Sequence, residues 1–239
     1  MATVVHEIAT ADTGNTPNAS GAFTPALNDL LIVFIVASAT VTDPASSALT
    51  NSAGLTFTQF LRAQCAASVD SIYGFVANQL ATAVSQTVTF NPADAANGTN
   101  IFVASVTGMS RTGLSAIRQS ALQSNQAAGT PAPVFPAVAL TANPTLGVIG
   151  NATNPATMTT PSGWAEAADI GYATPTTGGE YVTRDSGFTG TTITWGSASA
   201  SAFGAIIVEL DTSAPPAAFY PALERMTRGL ERGMNYGIH

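Results

Sequence analysis

Few residues in this chain of 239 amino acids could act as a nucleophile or a base. It has one cysteine, Cys65, and two histidines, His6 and His239, which stand near opposite ends of the sequence. A serine or cysteine nucleophile needs a base within hydrogen-bond reach, and the sequence contains no GxSxG nucleophile elbow. We therefore expect His6 to be an exposed strand residue and Cys65 a buried, inert thiol, and we predict no nucleophilic catalysis.

Paired carboxylates could hydrolyse a glycoside if the fold held them about 5–10 Å apart. The best candidates are Glu166 and Asp169, which are three residues apart and would lie on opposite faces of a regular strand. The next candidates, Glu180 and Asp185, are also not spaced as a catalytic pair would be. The sequence therefore predicts no catalytic residues and a protein that is not an enzyme.

Oxygen ligands for a calcium ion could come from Asp94, Asn97 and Asn100 in the segment NPADAANGTN (91–100). A single carboxylate is sparse for such a site, and Asn, Asp and Gly are the usual residues of a turn. One cysteine also excludes a CxxC zinc site. We predict no metal site and no cofactor.

The composition is unusually poor in charge. Only 9% of residues are charged, against roughly 25% in an ordinary domain, and seven arginines face fourteen acidic residues for a net charge of -7. Such a chain has no electrostatic attraction for nucleic acid or anionic lipid, so neither is expected as a partner. The N-terminus does not have the pattern of a signal peptide, and the longest apolar run, 30–39, is about half of the ~20 residues that span a bilayer. We expect synthesis in a cytoplasm.

Short alternating or β-branched segments, separated by Gly, Pro, Asn and Asp, predict an all-β protein. No helical period is evident before about residue 213. The predicted strands are Thr3–Ala9, Leu30–Ala37, Leu55–Leu61, Ser71–Asn78, Gln86–Phe90, Asn100–Val106, Leu114–Ala121, Val134–Leu140, Thr145–Gly150, Trp164–Ile170, Gly179–Arg184, Thr191–Trp195 and Phe203–Leu210.

An internal repeat organises these strands. The segment after Val5 matches the segment after Ile117, the turn NSAGL (51–55) matches TPSGW (160–164), and QTVTF (86–90) matches TTITW (191–195), always in the same order. The chain therefore divides into two related halves, 1–112 and 113–213. We favour a single jelly-roll-like antiparallel β-sandwich over 1–213, with two tandem β domains as the alternative.

The two tryptophans could form a sugar-stacking platform, but the repeat favours another interpretation. Trp164 aligns with Leu55 and Trp195 aligns with Phe90. A position that accepts Leu or Phe in one half and Trp in the other is used for its volume. We therefore expect both tryptophans in the core.

The C-terminal region, 214–239, differs from the rest. The segment DTSAPPAA (211–218) has the composition of an extended Pro/Ala hinge, and the apolar residues that follow fall on one face of a helix. We predict an amphipathic tail that docks on a partner subunit or neighbouring copy, with packing on its own sandwich as the alternative. The interacting residues would be Phe219, Tyr220, Leu223, Met226, Leu230 and Met234.

Four segments carry a resemblance to a known group of proteins: FTPALNDLLIVFIVAS (23–38), TPSGWAEA (160–167), TTITWGSASAS (191–201) and AIIVELD (205–211). They resemble Thr/Ala/Gly-rich, jelly-roll-like bacteriophage virion proteins, which include head decoration (cement), head-fibre and tail-associated components. The resemblance implies a structural protein of the virion, assembled in the host cytoplasm, and supplies no catalytic residues.

Within that group, the resemblance favours a capsid decoration protein. Its implied partners are the major capsid protein or tail components, together with further copies of itself. The alternative is a tail-fibre or receptor-binding module for host glycan, which would need an exposed aromatic residue. The candidates for that role are Tyr172, Tyr181 and Phe188.

Overall fold

The computed structural model of the chain describes residues 1–38, 47–65, 70–78, 82–92, 96–125, 129–151, 158–173, 176–196 and 202–214. The predicted C-terminal helix and all six predicted tail residues lie outside these ranges. The regular secondary structure of the described part is almost entirely antiparallel β-strand, which confirms the predicted all-β sandwich. Its one helical element is a 3-10 turn, Gly113–Ala116, and no helix in it has the length and apolarity needed to cross a membrane.

The strands are β1 (Thr3–Asp12), β2 (Asn18–Ala19), β3 (Leu30–Ser38), β4 (Ser47–Asn51), β5 (Thr58–Cys65), β6 (Asp70–Asn78), β7 (Val88–Pro92), β8 (Gly98–Thr107), β9 (Ile117–Asn125), β10 (Thr145–Asn151), β11 (Ala165–Ala173), β12 (Thr176–Arg184) and β13 (Phe203–Leu210). The 3-10 turn leads directly into β9, so that strand begins three residues later than the sequence predicts. Likewise, β5 begins at Thr58 and not at Leu55.

Each half of the chain builds one five-stranded sheet with the same strand order. The first-half sheet is β1-β8-β3-β6-β5, and the second-half sheet, written from β9, is β9-β13-β10-β12-β11. Each strand of the second list stands where its counterpart in the repeat stands in the first. A small sheet, β2-β7-β4, covers the outer face of the first sheet, which gives that half the two-layer arrangement of a jelly roll.

The repeat extends to the turn before β5 and β11. Gly54 and Gly163 both adopt the left-handed region, with φ of 82° and 81°. A turn hydrogen bond closes each loop, but the two bonds are offset by one residue: Gly54 N–H donates to the Asn51 carbonyl, whereas Trp164 N–H, one residue after Gly163, donates to the Pro161 carbonyl, both at 3.1 Å. The two halves of the chain thus share the strand order of their five-stranded sheets and a left-handed glycine in this turn.

The two five-stranded sheets face each other and share a core. Phe34, Phe102 and Ile72 of the first sheet pack with Tyr181 and Ile206 of the second. Edge strand β1 lies beside β11, and β5 lies beside β9, so the two sheets are related by an approximate twofold. Each sheet also has a buried outer face, which explains why β3 is apolar and buried along its whole length.

Two predicted strands are wrong. In Val134–Leu140 and Thr191–Trp195 the structure has only isolated bridges, including the bridge between Val134 and Thr192. The carbonyls of Pro131 and Pro133 accept hydrogen bonds from Trp195 and Ile193, but a proline has no N–H to return one. A continuous ladder therefore cannot form, although the apolar alternation that suggested it is real.

Candidate functional site

The two candidate groups for nucleophilic catalysis are far from forming a pair. His6 is exposed on β1, as predicted, whereas Cys65 is fully buried at the end of β5. Burial raises the pKa of the Cys65 thiol far above its usual value, so the reactive thiolate is disfavoured. The prediction of a buried, inert thiol is confirmed.

The carboxylates of β11 are arranged differently from the sequence prediction. A β-bulge between Glu166 and Ala168 adds one residue to the strand. Glu166 then pairs with Val182 and Asp169 pairs with Glu180, so Glu166 and Asp169 share a face of the sheet. The expectation that they lie on opposite faces is wrong, because it assumed an unbroken two-residue period.

Glu180 is the buried member of this carboxylate group. Neither of its carboxylate oxygens makes a regular hydrogen bond to a described residue. Burial, partly opposed by the Thr160 hydroxyl and reinforced by Glu166 and Asp169, raises its pKa to about 7. Burial and Glu166 likewise raise the pKa of Asp169 to about 6. Because Glu180 has no exposed surface, a substrate cannot contact it in this conformation. In the described part of the chain, no three Asp, Glu, His or Cys side chains are placed to hold a metal ion.

The residues considered as possible calcium ligands are placed differently from one another where the structure describes them. Asn97 is exposed in a bend, Asn100 is buried within β8, and Asp94 lies outside the described residues.

The aromatic residues proposed for glycan stacking are not exposed. Tyr181 is buried in the shared core, and Tyr172 is buried where its hydroxyl lies 2.7 Å from the Ser38 hydroxyl across the two sheets. Phe188 is half-buried against Trp164. These three positions therefore do not supply the fully exposed aromatic that the glycan-binding alternative would need.

The tryptophans pack in the outer core of the second half. Trp195 is buried, as predicted, in the place that Phe90 takes in the first half. Trp164 is half-buried and packs against the same core through Phe188.

The feature that the sequence analysis missed is an exposed apolar strip over residues 134–142. Three large side chains protrude from it: Val134 is 55% exposed, Val138 57% and Leu140 50%. Pro136, Ala137 and Ala142 between them are exposed as well, and the strip contains no charged residue. It alternates with buried Phe135 and Ala139, which fasten it to the core of the second half. A run of exposed apolar residues of this kind is a candidate interaction site.

A buried carboxylate holds one end of the apolar strip in place. Glu209 of β13 is fully buried, and its Oε1 accepts hydrogen bonds from the Leu140 N–H (2.8 Å) and the Asn143 side-chain amide (2.7 Å). Its Oε2 accepts hydrogen bonds from Arg118 and Gln119 of β9. Together, these four interactions offset the free-energy cost of burying the Glu209 carboxylate.

Arg118 and Gln119 extend this network to the backbone of the strip. Arg118 also donates to the Val138 carbonyl (3.2 Å), while the Gln119 amide both donates to the Ala137 carbonyl (2.9 Å) and accepts from the Ala137 N–H (3.1 Å). The polar backbone groups are thus bonded from behind, and apolar side chains face outward. The sequence signal for this site was the single acidic residue within the apolar segment AIIVELD (205–211).

The last described residues leave the sandwich beside the strip. Thr212 donates its hydroxyl to the Asn143 side chain (3.0 Å), the residue that also binds Glu209. Asp211 forms an ion pair with Arg111, and Arg111 hydrogen-bonds Ser213. The predicted tail therefore starts a few residues from Leu140.

The corresponding surface of the first half is smaller. Six residues separate Phe23 from β3, whereas nine separate Phe135 from β10, and the longer connection carries Val138 and Leu140. In the first half, the one large exposed apolar side chain of that connection is Leu27, at 53%. The strip is thus a property of one half and not of the repeat.

Comparison with known proteins adds no relative. No protein-family model, curated protein or solved structure matches this chain. The functional argument consequently depends on the fold and on this surface.

Proposed function

We propose that the chain is a non-enzymatic structural protein of a bacteriophage particle, a decoration protein that binds neighbouring capsid subunits. The observation that carries the proposal is the apolar strip, an uncharged surface held rigid on a doubled sandwich. Jelly rolls are common in capsid proteins, although they also occur in lectins and other proteins. The fold therefore agrees with the proposal without deciding it.

The chemistry of the described residues supports assembly over catalysis. The one thiol is buried, the one described histidine stands apart from it, and the buried carboxylate of the acidic group is closed to solvent. A rigid body with an apolar surface can instead contribute one weak contact to each of many equivalent sites. On a symmetric lattice, such contacts gain strength through multivalency.

Quantitative mass spectrometry of purified particles, produced from the genome that encodes the chain, tests this proposal. We expect the protein in a fixed ratio to the major capsid protein, with one or a few copies per capsomer. A handful of copies per particle would place it on a tail or fibre and contradict decoration. Its absence from particles would overturn a virion role altogether.

A further inference from the structure

We propose that the apolar strip is the docking site for the C-terminal segment 215–239 of a second copy of this chain. The inference deepens the proposed function, on which its role in a particle rests, because it names the contact through which copies associate.

The position of the tail supports this occupant. The described chain ends at residue 214, next to Arg111, and Thr212 is bonded to Asn143 at the edge of the strip. Twenty-five residues follow, and their apolar residues recur at spacings of four, three, four and four from Phe219 to Met234. With this spacing, a helix would carry one apolar face about four turns long. Such a face is more stable buried against another apolar surface than exposed to water.

The chemistry of the two surfaces is complementary. The strip offers Val134, Val138 and Leu140 with no charge among them, and the tail offers Phe, Leu and Met side chains. From residue 213 onward the chain has three arginines and two glutamates, whereas residues 1–212 have four arginines and twelve acidic residues. A slightly basic tail is thus attracted to the acidic body of another copy.

The Pro/Ala hinge favours docking of the tail on a second copy over docking on the body of the same chain. Pro215 and Pro216 restrict the backbone to extended conformations. Residues 211–214 are held against the body, so the four residues 215–218 would carry Phe219 up to about 12 Å beyond it at ~3.1 Å per residue. Leu140, in contrast, is hydrogen-bonded to Glu209 in β13. A short, stiff connection disfavours the reversal needed to return to it, as in hinge loops that favour exchange between copies.

Cysteine cross-linking of purified full-length protein tests the contact directly. In a Cys65→Ala background, one version carries Val138→Cys and another carries Leu223→Cys, with tags of different size. We expect a disulfide-linked heterodimer when the two are mixed and mildly oxidised. Leu27→Cys, equally exposed but on the other half, is the matched control and should give about tenfold less of this product.

A double variant, Val138→Cys with Leu223→Cys in one chain, identifies the occupant. Products of two or more chains support the proposal. A monomer closed by an internal disulfide would show that the tail covers its own strip and would overturn it. Absence of both products would show that the tail does not reach the strip, and this result too would overturn the proposal.

Light scattering gives an independent readout. We expect full-length protein to associate, and a version ending at Thr212 to be monomeric. Val138→Asp should weaken association about tenfold or more, since a buried charge opposes an apolar contact, while Leu27→Asp should leave it unchanged. Association that survives Val138→Asp would overturn the proposal. These experiments use isolated protein, so a negative result overturns the docking proposal but not the virion function, which the copy number in particles tests. Conversely, absence of the protein from particles would overturn the virion function but not a positive docking result.

Discussion

Two buried glutamates, Glu209 of β13 and Glu180 of β12, differ in the hydrogen bonding of their carboxylates. Glu209 has four hydrogen-bond donors around its carboxylate, whereas neither oxygen of Glu180 makes a regular hydrogen bond to a described residue. A satisfied carboxylate can remain charged inside a protein, while an unsatisfied one favours its protonated form. Glu209 therefore holds the apolar strip in place, whereas Glu180 makes the stability of the protein depend on pH.

Replacing Glu209 with alanine should destabilise the protein strongly. The change leaves the Leu140 N–H and the Asn143 amide without their acceptor, and because the Arg118 side chain is 26% exposed, the loss should lie near the lower end of the about 3–5 kcal/mol that breaking a buried ion pair costs. Urea denaturation measures the loss. The matched change Asp211→Ala removes the partly exposed partner of Arg111 and should cost less than about 1 kcal/mol. Equal losses in the two variants would contradict the role assigned to Glu209.

Replacing Glu180 with glutamine should alter the pH dependence of stability. Because the folded-state pKa is raised from the usual 4.5 to about 7, the native state holds a proton that the unfolded state releases between these values. Glu180 therefore lowers stability as pH rises from 5 to 8. Asp70, whose pKa burial also raises to about 7, acts in the same direction.

In Glu180→Gln the decrease in the free energy of unfolding from pH 5 to pH 8 should become smaller, by on the order of 2 kcal/mol. Urea midpoints at the two pH values check this. A pH dependence identical to that of the wild type would show that Glu180 is ionised without cost.

At the scale of elements, the sequence predicts what short-range patterns determine. The apolar run in β3 and the alternation of Val88 and Phe90 in β7 mark buried strands correctly. The bulge between Glu166 and Ala168 has no comparable pattern, since the extra residue depends on how β11 pairs with β12. A single inserted residue reverses every later side-chain direction in the strand, and for that reason the acidic face was predicted wrongly.

The apolar strip shows a second limit of sequence patterns. Val138 and Leu140 look like core residues, yet their backbone groups hydrogen-bond to Arg118 and Glu209 behind the strip and their side chains face outward. The hydrogen-bond partners lie 18 residues away for Gln119–Ala137 and 69 residues away for Glu209–Leu140 along the chain. Long-range polar contacts of this kind cannot be inferred from the period of one segment.

The paired turns provide a prediction about elements. Gly163→Ala and Gly54→Ala should each lower stability by about 1–2 kcal/mol, because both positions have a φ near +82° that costs a residue with a Cβ. Gly54 has open space around its Cβ position, so only backbone strain acts there. Asparagine tolerates this region better, so Gly54→Asn should lose less. Thermal unfolding compares the three variants, and an alanine variant as stable as the wild type would contradict the strain.

At the scale of the molecule, the shared core should join the two halves in one unfolding transition. Phe102 of β8 packs so closely against β12 that a Cβ on Gly179 would lie 2.9 Å from its ring. Phe102→Ala should therefore cost about 3–5 kcal/mol. Both tryptophans belong to the second half, so their fluorescence reports on the half that does not contain the substitution.

We expect tryptophan fluorescence and far-ultraviolet circular dichroism of Phe102→Ala to shift together, as in a two-state transition. Leu27→Ala, at an exposed position, should shift neither. A fluorescence transition that stays at its wild-type midpoint while the dichroism splits into two steps would mean that the halves unfold independently.

The repeat also determines how many partners one molecule can engage. If either half formed this arrangement as a homodimer, both of its sides would be equivalent, and a surface on one would recur on the other. In the fused chain the strip belongs to the longer connection of the second half alone, and Leu27 marks the reduced counterpart. Each chain therefore offers one strip and one tail, and under the proposed docking a copy receives one tail and gives one tail to the same or another copy.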